Sequence, residues 1–129
     1  MTMSRVLFVL IAFAVSAFSQ AVSSRVRVAG EFMYNLAERK VLPEIADLKG
    51  RELNAEVAVN VIVSKTGTVT KARSFKGDSS LFKRSEQAAL KWHYKPYLMA
   101  AEPVEVDTTL EFRFTKDKVE IVVPPPPRP

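Results

Sequence analysis

The chain has 129 residues, 47% hydrophobic and 26% charged, and its 19 lysines and arginines against 14 acidic residues give a net charge of +5. This balance is typical of one globular domain, and it excludes long disorder, a TIM barrel and a two-domain dinucleotide enzyme. Because the chain has no cysteine and one histidine, disulfides, cysteine zinc sites, thiol nucleophiles and multi-histidine metal centres are excluded as well. We therefore expect no metal and no cofactor.

The N-terminus has the pattern of a secretory signal peptide. Arg5 precedes an apolar run, Val6 to Phe18, of about thirteen residues, whereas a bilayer span needs about twenty. Ser19-Gln20-Ala21 then satisfies the small-x-small rule for cleavage. The sequence predicts a signal peptide over residues 1–21 and export of the remainder. The alternative is an uncleaved membrane anchor, and only that alternative would associate the protein with a membrane.

The net positive charge does not indicate a nucleic-acid partner. Basic residues are interleaved with acidic ones rather than massed, which is typical of a solvated mixed surface. An exported protein also meets no cytosolic nucleic acid, so we expect no nucleic acid among its partners.

Residues 22–42 predict an N-terminal arm followed by a short helix. Val22 to Val28 alternates weakly, as a short strand or an extended arm does, and Gly30 to Lys40 places apolar residues at helical spacing. Pro43 begins a second short helical patch, and Gly50 is a suitable C-cap for it.

Two strands joined by a hairpin are predicted next. β-Branched residues recur at period two from Val57 to Val63, which is typical of a pleated and half-buried strand. Ser64 to Thr68 predicts a hairpin turn in which Gly67 supplies a positive φ. The returning strand, Thr68 to Phe75, changes parity, and a bulge near residues 71–73 would reconcile its two halves.

An amphipathic helix and a third strand complete the predicted domain, which spans residues 43–115. Apolar and small residues recur at helical spacing from Leu81 to Trp92, which predicts a helix of about three and a half turns that ends before Pro96. Val104 to Phe114 alternates regularly, so one face of this strand should lie on a core and the other in water.

The predicted fold class is α+β. We expect a three-stranded antiparallel sheet with the order second, first, third, the main helix packed on one face, and short N-terminal helices. The third strand would then be an edge with unpaired backbone groups. Residues 116–129 are predicted as an extended proline-rich tail, in which Lys118 to Val123 is a candidate extension of the sheet and Pro124 to Pro127 is a polyproline stretch.

The sequence contains no convincing catalytic constellation. Ser80-x-x-Lys83 and Lys65-Thr66-Gly67 imitate two signatures of penicillin-binding enzymes, but their order is reversed and the Ser-Asp-Asn element is missing. A helix cap at Ser80 and a hairpin turn explain both motifs. His93 has no metal-ligand partner and is expected on the surface. We therefore expect a protein that is not an enzyme.

From the first strand to the end of the third, the chain resembles the C-terminal domain of the TonB family of periplasmic energy transducers. Family members show a valine-rich strand, a Gly-x-Val hairpin, a helix that runs into Trp-x-Tyr/Phe-x-Pro, and a strand that ends in Phe-x-Phe. The positions of this chain that match the family pattern are Gly67, Val69, Gly77, Leu81, Ala88, Trp92, Tyr94, Pro96, Pro103, Val104, Phe112 and Phe114.

The resemblance implies a periplasmic protein that acts by binding. TonB-type domains capture an extended segment, the TonB box of an outer-membrane transporter, by adding it as a strand beside the last strand of their sheet. The implied partner-binding edge strand consists of Val104, Glu105, Val106, Asp107, Thr108, Thr109, Leu110, Glu111, Phe112, Arg113 and Phe114. The expected structural core includes Val59, Val61, Val69, Leu81, Ala88, Trp92, Tyr94 and Pro96.

Two other functions remain as alternatives. An uncleaved segment from Val6 to Phe18 would make the chain a minimal membrane-anchored TonB energy transducer. Pairing of the edge strand with its own copy would make it a self-associating envelope scaffold, in the form of a homodimer.

Overall fold

The computed structural model describes residues 25–123. The predicted signal peptide and the polyproline stretch lie outside this range. Within residues 25–123, no helix combines the length and the apolar character that crossing a bilayer requires.

The N-terminal segment contains one short helix between two short strands. These elements are β1 (Val26–Arg27), α1 (Gly30–Tyr34) and β2 (Ala37–Arg39), and a 3-10 turn follows at Ala46–Leu48. The predicted helix over residues 30–40 is therefore too long, because the chain leaves α1 after Tyr34 and extends into a strand. The second helical patch is reduced to the single 3-10 turn.

The central hairpin forms as predicted from β3 (Asn54–Val63) and β4 (Val69–Gly77). Gly67 adopts a φ of +92° in the connecting turn, where the amide of Thr68 also donates a hydrogen bond to the hydroxyl oxygen of Ser64. The predicted bulge near residues 71–73 is wrong, since these residues pair regularly with β3. The register shifts instead on either side of them, and it skips Thr70 and Phe75.

The main helix is shorter than predicted. A 3-10 turn at Ser79–Leu81 leads into α2 (Phe82–Ala89). The side chain that caps this turn is the carboxylate of Asp78, and not the predicted hydroxyl of Ser80. After Ala89 the chain forms β5 (His93–Tyr94), which pairs antiparallel with β2. Trp92 therefore lies beyond the end of the helix.

The last third of the chain consists of strands. β6 (Leu98–Met99) and β7 (Glu102–Pro103) form a small hairpin, and β8 (Val106–Thr115) and β9 (Lys118–Val122) follow. Asp117 has a φ of +64° in the turn between β8 and β9, and its carboxylate accepts a hydrogen bond of 2.7 Å from the amide of Gly50.

The class is α+β as predicted, but the sheet differs from the predicted one. β4, β3 and β8 do lie side by side and antiparallel, in the expected order. β1 joins β8 in parallel and β9 joins it antiparallel, so the sheet is mixed and has five strands. The prediction of three antiparallel strands is wrong, although both added strands lie in segments that the sequence offered: Val22 to Val28 as a short strand or arm, and Lys118 to Val123 as an extension of the sheet.

The core lies between the helix and the sheet. Trp92 is buried after α2, its indole Nε1 donates to the carbonyl of Val41 at 2.8 Å, and its ring meets Phe112 edge-on with centroids 6.4 Å apart. Pro96, which we expected in the core, is exposed because it follows β5 on the surface. The other expected core residues are all buried: Val59, Val61, Val69, Leu81, Ala88, Trp92 and Tyr94.

Substitution of Tyr94 by phenylalanine should leave stability at pH 7 unchanged or raise it by up to about 1 kcal/mol. The ring is fully buried, and its hydroxyl has no hydrogen-bond partner within residues 25–123. Burial also raises the pKa of the hydroxyl. The folded protein thus keeps a proton that the unfolded chain loses near pH 10, and stability should fall as pH rises above about 10.

Urea unfolding between pH 7 and pH 11 measures both effects. The phenylalanine variant should lose less stability above pH 10 than the parent protein. Tyr97→Phe serves as the control, because Tyr97 is only half-buried. A loss of more than about 1 kcal/mol at pH 7 would show that the Tyr94 hydroxyl does have a stabilising partner.

Candidate functional site

The strand that the sequence singled out alternates between core and surface over its whole length. The side chains of one parity are buried against the helix layer: Val104, Val106, Thr108, Leu110, Phe112 and Phe114. The side chains of the other parity are half-buried on the opposite face: Glu105, Asp107, Thr109, Glu111 and Arg113.

Both sides of β8 have strand neighbours, so the expectation of a fully unpaired edge is wrong. β3 pairs with β8 along ten consecutive residues on one side. On the other side, β1 covers Val106 and Asp107, and β9 covers residues 111–115. We call this second side, from residue 104 to residue 115, the outer side of β8. The outer side of β8 is thus covered by two short strands rather than by one long strand.

A gap separates these two strands in the middle of the outer side. Within residues 25–123, no residue of β1 or β9 is in register with residues 108–110. A small, shallow cleft opens here, lined in part by Tyr34, Thr109 and Ile121. The start of α1 approaches closely, because a Cβ atom on Gly30 would lie 2.5 Å from the carbonyl oxygen of Thr109.

The sequence explains why β9 does not cover the gap. Its register pairs Val122 with Glu111, and the same register continued by two residues would bring position 124 opposite Thr109. That position is a proline, which has no amide hydrogen to donate to a neighbouring strand. A regular ladder therefore cannot be extended across Thr109 from this direction.

β1 is held to β8 by backbone and side-chain contacts. The amides of Val26 and Val28 donate to the carbonyls of Glu105 and Asp107 at 3.0 and 3.1 Å. The buried hydroxyl of Thr108 donates to the Val28 carbonyl at 2.6 Å.

Two arginines of the N-terminal segment add ion pairs on the exposed face. Arg25 contacts Glu105 at 2.6 Å, and Arg27 contacts Asp107 at 2.7 Å. A second nitrogen of Arg27 donates to the hydroxyl of Thr109 at 2.7 Å. These arginines were not among the residues predicted for the site, although their alternation with Val26 and Val28 is complementary to the acidic alternation that begins at Glu105.

β9 is attached to β8 by more backbone pairs than β1 is. Five residue pairs connect it to β8, and Val119 is buried in the core. On its exposed face Lys118 contacts Glu120, and this hydrogen-bonded pair lowers the pKa of the Glu120 carboxyl. β9 therefore contributes more to the domain than β1, whose pairing is limited to two residues.

The opposite edge of the sheet, β4, is built against strand addition. The register skips in its pairing with β3 mark two irregularities along it, and the amide of Ser74 donates to a carboxylate oxygen of Glu86 at 2.7 Å instead of remaining available. Lys71, Arg73 and Lys76 are exposed along the strand. Bulges, edge lysines and capped amides are the devices by which natural sheets prevent edge-to-edge pairing.

The serine considered as a catalytic candidate has a structural partner. The Ser80 hydroxyl donates to the Asp78 carboxylate at 2.7 Å, and the Ser80 amide donates to the same oxygen at 2.9 Å. These bonds lower the pKa of Asp78. His93 is half-buried in β5 and pairs with Thr68 through an isolated bridge. The structure thus places both residues in the framework of the fold.

Comparison with known proteins identifies the domain. Residues 38–115 match the sequence model of the family described as Gram-negative bacterial TonB protein C-terminal. The solution NMR structure of the Pseudomonas aeruginosa TonB CTD shares the fold, with a TM-score of 0.51 and 22% identity over 64% of this chain and 86% of that one. No curated protein matches the chain significantly.

The matched family has a known general function. The family is a non-enzymatic energy-transducer domain, it is periplasmic in Gram-negative bacteria, and it implies a protein partner such as an outer-membrane transporter. The matched segment begins in β2 and ends with β8, so it contains the whole outer side of β8. The chain therefore belongs to the family of TonB protein C-terminal domains.

Proposed function

We propose that this domain captures an extended segment of a TonB-dependent outer-membrane transporter by adding it as a strand along the outer side of β8. The observation that carries the proposal is the coverage of this side by two short strands with a gap at residues 108–110. The binding segment would comprise Val104 to Phe114, the strand to which the resemblance to the TonB family assigns this role.

Geometry favours the outer side of β8 over the other sheet edge. The backbone groups of Asp107 point away from β3, since the Asp107 carbonyl accepts the Val28 amide. Thr109 has the same parity along the strand, so its amide and carbonyl also point to the outer side. β4 offers no comparable stretch, because bulges and the Glu86 cap interrupt it.

Addition of a peptide strand to β8 requires only a modest binding free energy. β1 donates two amides to β8, and an exposed backbone hydrogen bond contributes about 0.5–1.5 kcal/mol net. A peptide that pairs over five or six residues would form more such bonds than β1 does. Micromolar affinity corresponds to about −8 kcal/mol, which backbone pairing together with a few buried side chains can supply.

Export of the domain by a signal peptide over residues 1–21 is part of the proposal. The family is periplasmic, and the first residues have the composition of such a signal. Determining the N-terminal residue of the protein recovered from the cell envelope tests this point: a start at Val22 supports cleavage, and an intact Met1 supports the anchored transducer.

An amide NMR titration with TonB-box peptides from the same organism's transporters tests strand addition. We expect shifts along residues 104–115 and in β1 or β9, with the amides of β4 unchanged. No shift at millimolar peptide, or shifts concentrated on β4, would refute the proposal.

The matched control is a pair of backbone-methylated peptides with identical side chains. N-methylation at every second residue removes alternate amide hydrogens, and only one of the two sets faces β8 in a strand. One methylated peptide should therefore lose binding while the other keeps it. Equal binding of both would mean that the peptide does not add as a strand.

A further inference from the structure

We infer that the segment Arg25–Val28 is an internal occupant of the upstream part of the peptide site, and that it must leave before a ligand can pair with residues 105–107. The segment defines the ligand chemistry of this part: an extended chain, parallel to β8, with basic residues alternating with β-branched ones. This inference rests on the proposed function, because it specifies the segment that the outer side of β8 accepts.

The first support is the register. Val26 lies beside Val106 and Arg27 beside Asp107 in a parallel ladder, a pairing that continues in both directions through side-chain contacts. Arg25 reaches Glu105, and the carbonyl of Val28 accepts from Thr108. The segment thus makes on β8 the contacts expected of an added strand, with the backbone supplying affinity and alternate side chains supplying specificity.

The second support is the division of the contacts between two faces. The valines turn toward the core, and Val28 is buried. The arginines turn to the other face and contact two carboxylates and one hydroxyl on β8. The upstream part of the outer side therefore favours a cationic side chain at two positions of the added strand, opposite Glu105 and Asp107, which are separated by one residue. An acidic peptide would bring like charges together there.

The third support is that the ion pairs of the segment are individually weak. The side chains of Arg25 and Glu105 are 45% and 29% exposed, and those of Arg27 and Asp107 are 60% and 31% exposed. Exposed ion pairs contribute little to stability. α1 is anchored independently through the buried Met33, so β1 can leave β8 without unfolding the helix that follows it.

The test uses a synthetic peptide with the sequence of residues 22–30 as the probe. In the double variant Arg25→Glu, Arg27→Glu the internal strand should be repelled by Glu105 and Asp107, and the amide of Asp107 should exchange faster while the amides of β3 keep their protection. The probe should then bind this variant about three- to tenfold more tightly than it binds the parent protein, as expected from the loss of two exposed ion pairs.

The matched controls exchange the charges. A probe in which both arginines are replaced by glutamate should not bind the Arg25→Glu, Arg27→Glu variant. It should instead bind a protein in which Glu105 and Asp107 are both replaced by arginine. The fluorescence of Trp92, the only tryptophan of the chain, verifies that each variant is folded.

The outcomes separate this inference from the proposed function. Unchanged exchange of the Asp107 amide in the double variant, or equal affinity of the basic and acidic probes, would overturn the inference while leaving transporter binding untouched. Binding of the basic probe to the double variant supports the inference even where TonB-box peptides fail. If the protein is a dimer that dissociates when probe is added, copies exchange β1 with each other, and the inference of an internal occupant is wrong.

Discussion

Replacement of Gly67 by alanine is expected to lower the free energy of unfolding by about 3 kcal/mol or more. Gly67 has a φ of +92°, and a Cβ atom at this position would lie 1.8 Å from the carbonyl oxygen of Tyr94. The left-handed conformation alone costs an alanine about 1–2 kcal/mol. The clash adds to this cost, because the turn must move away and lose the 2.8 Å hydrogen bond from the Tyr94 amide to the Gly67 carbonyl.

Gly50 provides the matched control. Its φ is +82°, but a Cβ atom there would meet nothing within 4 Å. Gly50→Ala should therefore show only the conformational cost, about 1–2 kcal/mol. Urea unfolding followed by Trp92 fluorescence measures both variants. Equal losses would contradict the idea that the close approach of the hairpin turn to Tyr94 stabilises the fold.

The long strands could be predicted from the sequence because burial leaves a period of two in the chain itself. β8 keeps strict alternation between buried and half-buried residues from Val106 to Thr115, and the valines of β3 recur at every second position on one face of the strand, where all of them are buried. The turn at Gly67 was predictable for a similar reason, since a hairpin between such strands requires a residue that tolerates positive φ.

The end of the main helix could not be predicted from spacing. Trp92 is placed at a helical interval from Ala88 and Ala89, yet the helix stops at Ala89. Tertiary contacts decide this. The Trp92 indole binds the carbonyl of Val41, and the following residues pair with β2. A contact between segments some fifty residues apart leaves no local signal in either of them.

The coverage of β8 was missed for the same physical reason. β1 is two residues long, too short for any periodicity to be significant. Its pairing is encoded in complementarity instead, because Arg25 and Arg27 alternate opposite Glu105 and Asp107. A search for alternating charges of opposite sign in separate segments would have found it. The long alternating strand alone suggested an open edge, whereas natural sheets cover such edges with short strands.

Substitution of Trp92 by alanine should cost about 3–5 kcal/mol, the usual range for removing a buried aromatic side chain. The side chain is 1% exposed, and its ring lies 5.9 Å from the ring of Tyr94 and 6.4 Å from that of Phe112. It therefore joins the end of α2 to β8. Domains of this size have about 5–15 kcal/mol of total stability, so the variant should be marginally folded.

The indole hydrogen bond and the ring can be separated experimentally. Trp92→Phe keeps an aromatic ring but leaves the Val41 carbonyl without its donor, and it should cost about 1–3 kcal/mol. Leu90→Ala is the control, because Leu90 is 46% exposed two residues earlier and should change stability by less than about 0.5 kcal/mol. Unfolding must be followed by circular dichroism, since both Trp92 variants lack the tryptophan whose fluorescence would otherwise report it. If Trp92→Phe costs as much as Trp92→Ala, the hydrogen bond to Val41 rather than aromatic packing dominates the contribution of Trp92 to stability.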